Sequence, residues 1–121
     1  MNPYLAMDVR TSSPEVLIGR LLDRAVALVG GSIESQQSDP AASAQAITKA
    51  VDIVSELRSA LKPDVAGELV ENFDALYEFI NRKLVLGFTA NEPSALAEAR
   101  QVLETLASGW TELLVQRAEA S

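Results

Sequence analysis

Few residues in this chain could do chemistry. Asp52 and Glu56 stand one helical turn apart. That spacing puts two carboxylates on one helical face and, in a suitable cleft, supports general acid–base exchange. Here the pair faces outward on its helix and reads as solvated surface. Gly30-Gly31 lacks the Lys-Ser/Thr that completes a phosphate-cradling loop. The chain has no histidine and no cysteine, so the commonest general base, the commonest metal ligand, thiolate nucleophiles and disulfides are all absent. A ferritin-like di-iron centre needs Glu-x-x-His pairs, and a histidine phosphotransfer bundle needs its histidine. An acyl carrier needs a serine in an Asp-Ser-Leu/Met context, and no such tripeptide occurs. No catalytic, cofactor-binding or metal-ligating set is expected, and the chain does not read as an enzyme.

The remaining chemistry is that of recognition. The formal net charge is −7, from 10 basic and 17 acidic residues. That balance argues against nucleic acid and anionic membrane as partners, because both attract a basic face. Apolar residues lying off the expected core stripes are more informative. Phe79 and Leu86 are two turns apart and align on one flank of their helix, with Asn72 and Lys83 beside them. Ile53 and Ala60 form a comparable flank on the preceding helix. Together these flanks are expected to line a groove between the second and third helices. Scattered surface apolar residues are common, however, and a merely widened core arc would give the same pattern. Arg58 falls inside the apolar arc of its helix, either snorkelling at the helix C-terminus or anchoring a partner's carboxylate or carbonyls. The N-terminal arm carries Pro3, Tyr4, Leu5, Met7 and Val9. It is too short for a bundle helix and suited to packing back on the domain, either over a groove or as a simple core cap.

The elements that must position these residues follow from periodicity. The length of 121 residues and a hydrophobic share of 48% fit one compact domain with its own core. Apolar residues recur with helical period and no strand alternation is present. The first helix opens at Ser12 or Ser13 with Pro14 and Glu15, carries Leu17, Ile18, Leu21, Leu22, Ala25, Leu28 and Val29 on one face, and is expected to stop at Gly30-Gly31. Asp39-Pro40 opens the second, with Ile47, Ala50, Val51, Val54, Leu57 and Leu61 inward, and Lys62-Pro63 ends it. The third is expected over 66–88 on Leu69, Val70, Phe73, Leu76, Tyr77, Ile80 and Leu84. After a turn with Asn91 as cap, the fourth carries Leu96, Val102, Leu103, Leu106, Trp110, Leu113 and Leu114. These four amphipathic helices predict an all-α, antiparallel four-helix bundle as a single domain over 1–121: a mobile arm over 1–12, the bundle over 13–116 and a frayed tail over 117–121. No apolar stretch reaches the roughly 18 residues of a membrane span and no secretory signal is present, so a cytosolic protein is expected.

Several stretches also resemble one known family. They are Asn2-Pro3-Tyr4, then Ser13-Pro14-Glu15, then Ile53-Val54-Ser55-Glu56-Leu57-Arg58, and above all the run from Glu71 to Leu84, which reads Glu-Asn-Phe-Asp-Ala-Leu-Tyr-Glu-Phe-Ile-Asn-Arg-Lys-Leu. That run resembles the Asn-Leu-x-x-Leu-Tyr-Asp-Tyr-Met-x-Arg-x-Leu pattern of the flagellin export chaperones, the FliS family, and Trp110 stands where the family usually has it. Two departures are the Leu21-Leu22-Asp23-Arg24-Ala25 run, where the family often has Leu-Tyr-Asp-Gly-Ala, and Met7 in place of a second arm tyrosine. The resemblance implies a cytosolic helical bundle that binds the disordered C-terminal segment of flagellin in apolar grooves, prevents premature polymerisation and escorts it to the flagellar export apparatus. Carried onto this sequence, the partner-binding residues would be Ile53, Leu57, Arg58, Asn72, Leu76, Phe79, Arg82, Lys83 and Leu86, with Pro3 and Tyr4 in the arm. A component of the export gate would be a further partner, and monomer or homodimer is left open. The alternative reading is a small protein-interaction or dimerisation module that regulates another protein.

Overall fold

The computed structural model describes residues 13–60 and 73–120, which form four α-helices with no strand among them. They are α1 (Pro14–Ser35), α2 (Pro40–Ala60), α3 (Phe73–Thr89) and α4 (Pro93–Ala120). Each α1-to-α2 and α3-to-α4 connection is short, so those neighbours run antiparallel. The helices close a ring in which α1 packs on α2 and α4, and α3 packs on the same two.

Local chemistry fixes the helix ends. The Val16 amide donates to Ser13 Oγ at 3.2 Å, with Pro14 and Glu15 in the first turn of α1. The Ala42 amide donates to Asp39 Oδ1 at 3.1 Å ahead of α2. These side-chain acceptors satisfy amides that have no partner within the helix. Between α3 and α4, Asn91 has φ 55°, and the Glu92 amide reaches back to the Gly87 carbonyl at 3.2 Å. This is a left-handed helix stop, which asparagine tolerates better than most residues. Asn91 therefore ends α3 rather than capping α4, whose first amides donate to the Glu92 carbonyl.

One expected helix end differs from the structure. Gly30-Gly31 does not stop α1, which runs on to Ser35. Two interior glycines cost about 2 kcal/mol of helix propensity relative to alanine. The last turn is held from outside instead. Ser32 and Ser43 are buried, their hydroxyls lie 2.9 Å apart, and the Ser43 hydroxyl donates to the Ser32 carbonyl. The Gln36 side-chain amide donates to the Gly87 carbonyl at 3.1 Å, tying the α1–α2 connection to α3. At the other end of the chain α4 continues through Ala120, beyond Gln116.

One core runs through the ring, with Leu22, Val29, Val54, Leu57, Phe73, Ile80, Leu84, Leu96, Leu103 and Trp110 all but inaccessible to solvent. Trp110 is its largest member. Its indole N–H donates to the Glu15 carbonyl at 2.7 Å, and its ring lies where a Cβ at Gly19 would come within 3.3 Å. At the α3–α4 contact, Gly87 lets the Leu96 side chain sit against the α3 backbone, since a Cβ there would overlap Leu96 Cδ2. Leu17, expected on the buried face of α1, is instead exposed. No helix among the described residues is long and apolar enough to cross a membrane.

Candidate functional site

The stripe Phe73, Ile80, Leu84 and Gly87 turns the inner face of α3 toward the core. That rotation sends its two flanks to different neighbours. On one flank lie Asp74 and Tyr77, which meet α2. On the other lie Leu76, Phe79, Lys83 and Leu86, which lie toward α4. With 100° per residue, Phe79 and Leu86 fall within about 20° of each other on the α4 side of the core stripe.

On that side α3 and α4 do not close completely. Leu76 and Phe79 from α3, with Val102 and Leu106 from α4, line a cleft of about 370 Å³, and Glu98, Gln101 and Thr105 complete its α4 wall. Leu106 is buried, whereas Leu76, Phe79 and Val102 are half-buried. The cleft is therefore the open margin of the core and not an isolated surface spot. Its rim on α3 is cationic. The Arg82 guanidinium lies 5.8 Å and the Lys83 ammonium 5.5 Å from the centre of the Phe79 ring, both in range for attraction to the π face. Lys83 also bridges to Glu98 at 2.8 Å, a crossbar between the helices at one end of the cleft, and the exposed Leu86 lies beyond it on α3.

The opposite flank of α3 has its own cluster. Arg58 Nε on α2 pairs with Asp74 Oδ1 at 3.1 Å, the Arg58 guanidinium lies 4.8 Å from the Tyr77 ring centre, and the Tyr77 hydroxyl is 3.1 Å from Ser55 Oγ. Arg58 is thus an exposed α2–α3 tie with partners inside the chain, rather than a residue held within the apolar arc.

Of the residues expected at the site, the structure brings Leu76, Phe79, Arg82 and Lys83 together and sets Leu86 one step further along. Ile53 and Leu57 do not join them, since their side chains are buried in the core. Among the described residues Phe79 lines a cleft between α3 and α4, whereas its flank was expected to meet the second helix. The physical reason is that the flank of α3 bearing Phe79 faces away from α2. Asn72, Pro3 and Tyr4 lie outside the described residues. The α4 wall, formed by Val102, Thr105 and Leu106, is what sequence reasoning missed. Val102 and Leu106 carry a signal, the apolar period, but that period assigns them to the core without saying that they also edge an opening.

The cleft presents an apolar surface. Among the described residues no group of acidic side chains could hold an ion, and Asp52 and Glu56 are exposed on α2, away from the cleft.

Compared with known proteins, the chain matches the family model described as flagellar protein FliS over residues 1–117. It is 31% identical over 107 residues to the flagellar secretion chaperone FliS of Salmonella typhimurium, covering 87% of this chain and 79% of that one. It is 29% identical to the protein of the same name from Escherichia coli, covering 88% and 80% of the two chains. A 64-residue stretch is 42% identical to the flagellar secretion chaperone FliSB of Pseudomonas aeruginosa, covering 53% and 51%.

Proposed function

Because the chain belongs to the FliS family of flagellar proteins, a family of secretion chaperones and not of enzymes, we propose that it takes the C-terminal segment of flagellin into the α3–α4 cleft, holds it from polymerising and escorts it to the export apparatus in the cytosol. One observation supports this reading above the others: an apolar opening at the core margin, lined by Leu76, Phe79, Val102 and Leu106 and left unfilled by the described residues.

The physics suits an unfolded client. A disordered segment gives up roughly 2–5 kcal/mol or more when it orders on a surface. Removing apolar area from water at about 25 cal/mol per Å² offsets that loss only when the contact is long. The α3–α4 seam runs along α3, which spans 17 residues. A folded partner would need no such seam, because it brings a ready-made surface. An export-gate component as a second partner belongs to the same reading, since delivery requires an encounter with the apparatus.

Flagellin assembly in vitro tests the proposal. Light scattering of seeded flagellin should stay flat with an equimolar amount of this protein and rise without it. Growth at the same rate in both samples would sink the chaperone reading.

A further inference from the structure

Gly109 lies in the interior of α4, where glycine is the poorest helix former except proline. At Gly87 and Gly19 the missing side chain makes room for Leu96 and Trp110. At Gly109 a Cβ would meet nothing within 4 Å, so no neighbour among the described residues needs the gap. Gly109 also borders a shallow depression on α4 with Gln101, Thr105 and Glu112. Gln101 and Thr105 line the apolar cleft as well, so cleft and depression form one continuous surface.

Resting on the chaperone reading above, we propose that the bare backbone at Gly109 is the crossing point of a client helix. Its apolar residues enter the cleft beside Phe79, and its backbone closes on α4 where no side chain intervenes. A helix packs closest where one partner presents a glycine, because ridge height sets the distance between axes. The rims give the occupant its polarity. Glu112 is exposed on the α4 edge beside Gly109, and Arg82 is exposed on the α3 edge beside Phe79. The complementary segment is an amphipathic helix with basic residues on the edge over α4 and acidic residues on the edge over α3.

A second glycine supplies the control. Gly31 on α1 is equally open, with nothing within 4 Å of a Cβ, and α1 contributes nothing to the cleft. Both Gly109→Ala and Gly31→Ala should melt above the unaltered protein, since alanine favours helix and narrows the unfolded ensemble. Titrated with the C-terminal segment of flagellin, Gly109→Ala should bind about tenfold more weakly, the effect of one intruding methyl in a close contact, while Gly31→Ala binds as the unaltered chain does. Equal affinity of Gly109→Ala and the unaltered chain would overturn the crossing point and leave the chaperone reading standing. So would equal losses in the two variants. Failure of the unaltered chain to bind the segment would overturn both.

Discussion

Phe79 combines three properties in one side chain: it is half-buried, it lines the cleft and it carries cations at its ring face. A core residue would lack the opening, and an incidental surface aromatic would lack the apolar neighbours. Phe79→Asp should therefore leave the helical circular dichroism intact while weakening flagellin binding at least about tenfold, the scale of removing an aromatic anchor. Collapse of the helical signal would make Phe79 a core residue. Trp110 is the counter-example at the same scale. It is fully buried and its N–H is committed to the Glu15 carbonyl. Trp110→Phe removes that hydrogen bond and leaves a gap, and urea unfolding should show a loss of about 1–3 kcal/mol. The ion pairs deserve smaller numbers. Lys83→Met cuts the bridge to Glu98, a pair whose side chains are 22% and 52% exposed, and pairs open to solvent on one side are worth about 0–1 kcal/mol. Its unfolding midpoint should barely move.

At the scale of elements, the α3–α4 seam is set by Gly87, and two effects compete there. Alanine in a helix interior is favoured over glycine by about 1 kcal/mol. Against that, the added methyl overlaps Leu96 and approaches the Glu92 carbonyl to 3.3 Å, and overpacking costs about 1–3 kcal/mol. Gly87→Ala should therefore destabilise, a sign opposite to propensity, and a melting temperature at or above that of the unaltered protein would contradict the packing. This contrast shows what the sequence carries and what it leaves out. The helices were legible because their signals are local: Ser13 with Pro14, Asp39 with Pro40, and the apolar period between. Gly30-Gly31 misled because the bonds that carry α1 past it come from Ser43 and from the Gln36 reach to Gly87, contacts remote in sequence. The site was half legible. Phe79 and Leu86 stand out from their own helix, but whether that flank meets α2 or α4 depends on the direction in which the ring closes. No spacing within α3 encodes that, so the α4 wall stays hidden among core positions.

For the whole molecule, the central claim is that binding energy comes from apolar burial along a helical seam. The net charge of −7 and the intramolecular pairing of Arg58, Lys83 and Arg100 leave few cations for long-range attraction. Affinity for flagellin should therefore fall less than tenfold between low and moderate salt, as expected where rim pairs orient the client and contribute little energy. The most direct test is calorimetric titration with the C-terminal segment of flagellin from the same source, repeated at several temperatures. One-to-one binding with a clearly negative heat-capacity change is the expected result, since apolar surface leaving water lowers the heat capacity. Binding with no heat-capacity change, or none at any temperature by a fully helical sample, would contradict it.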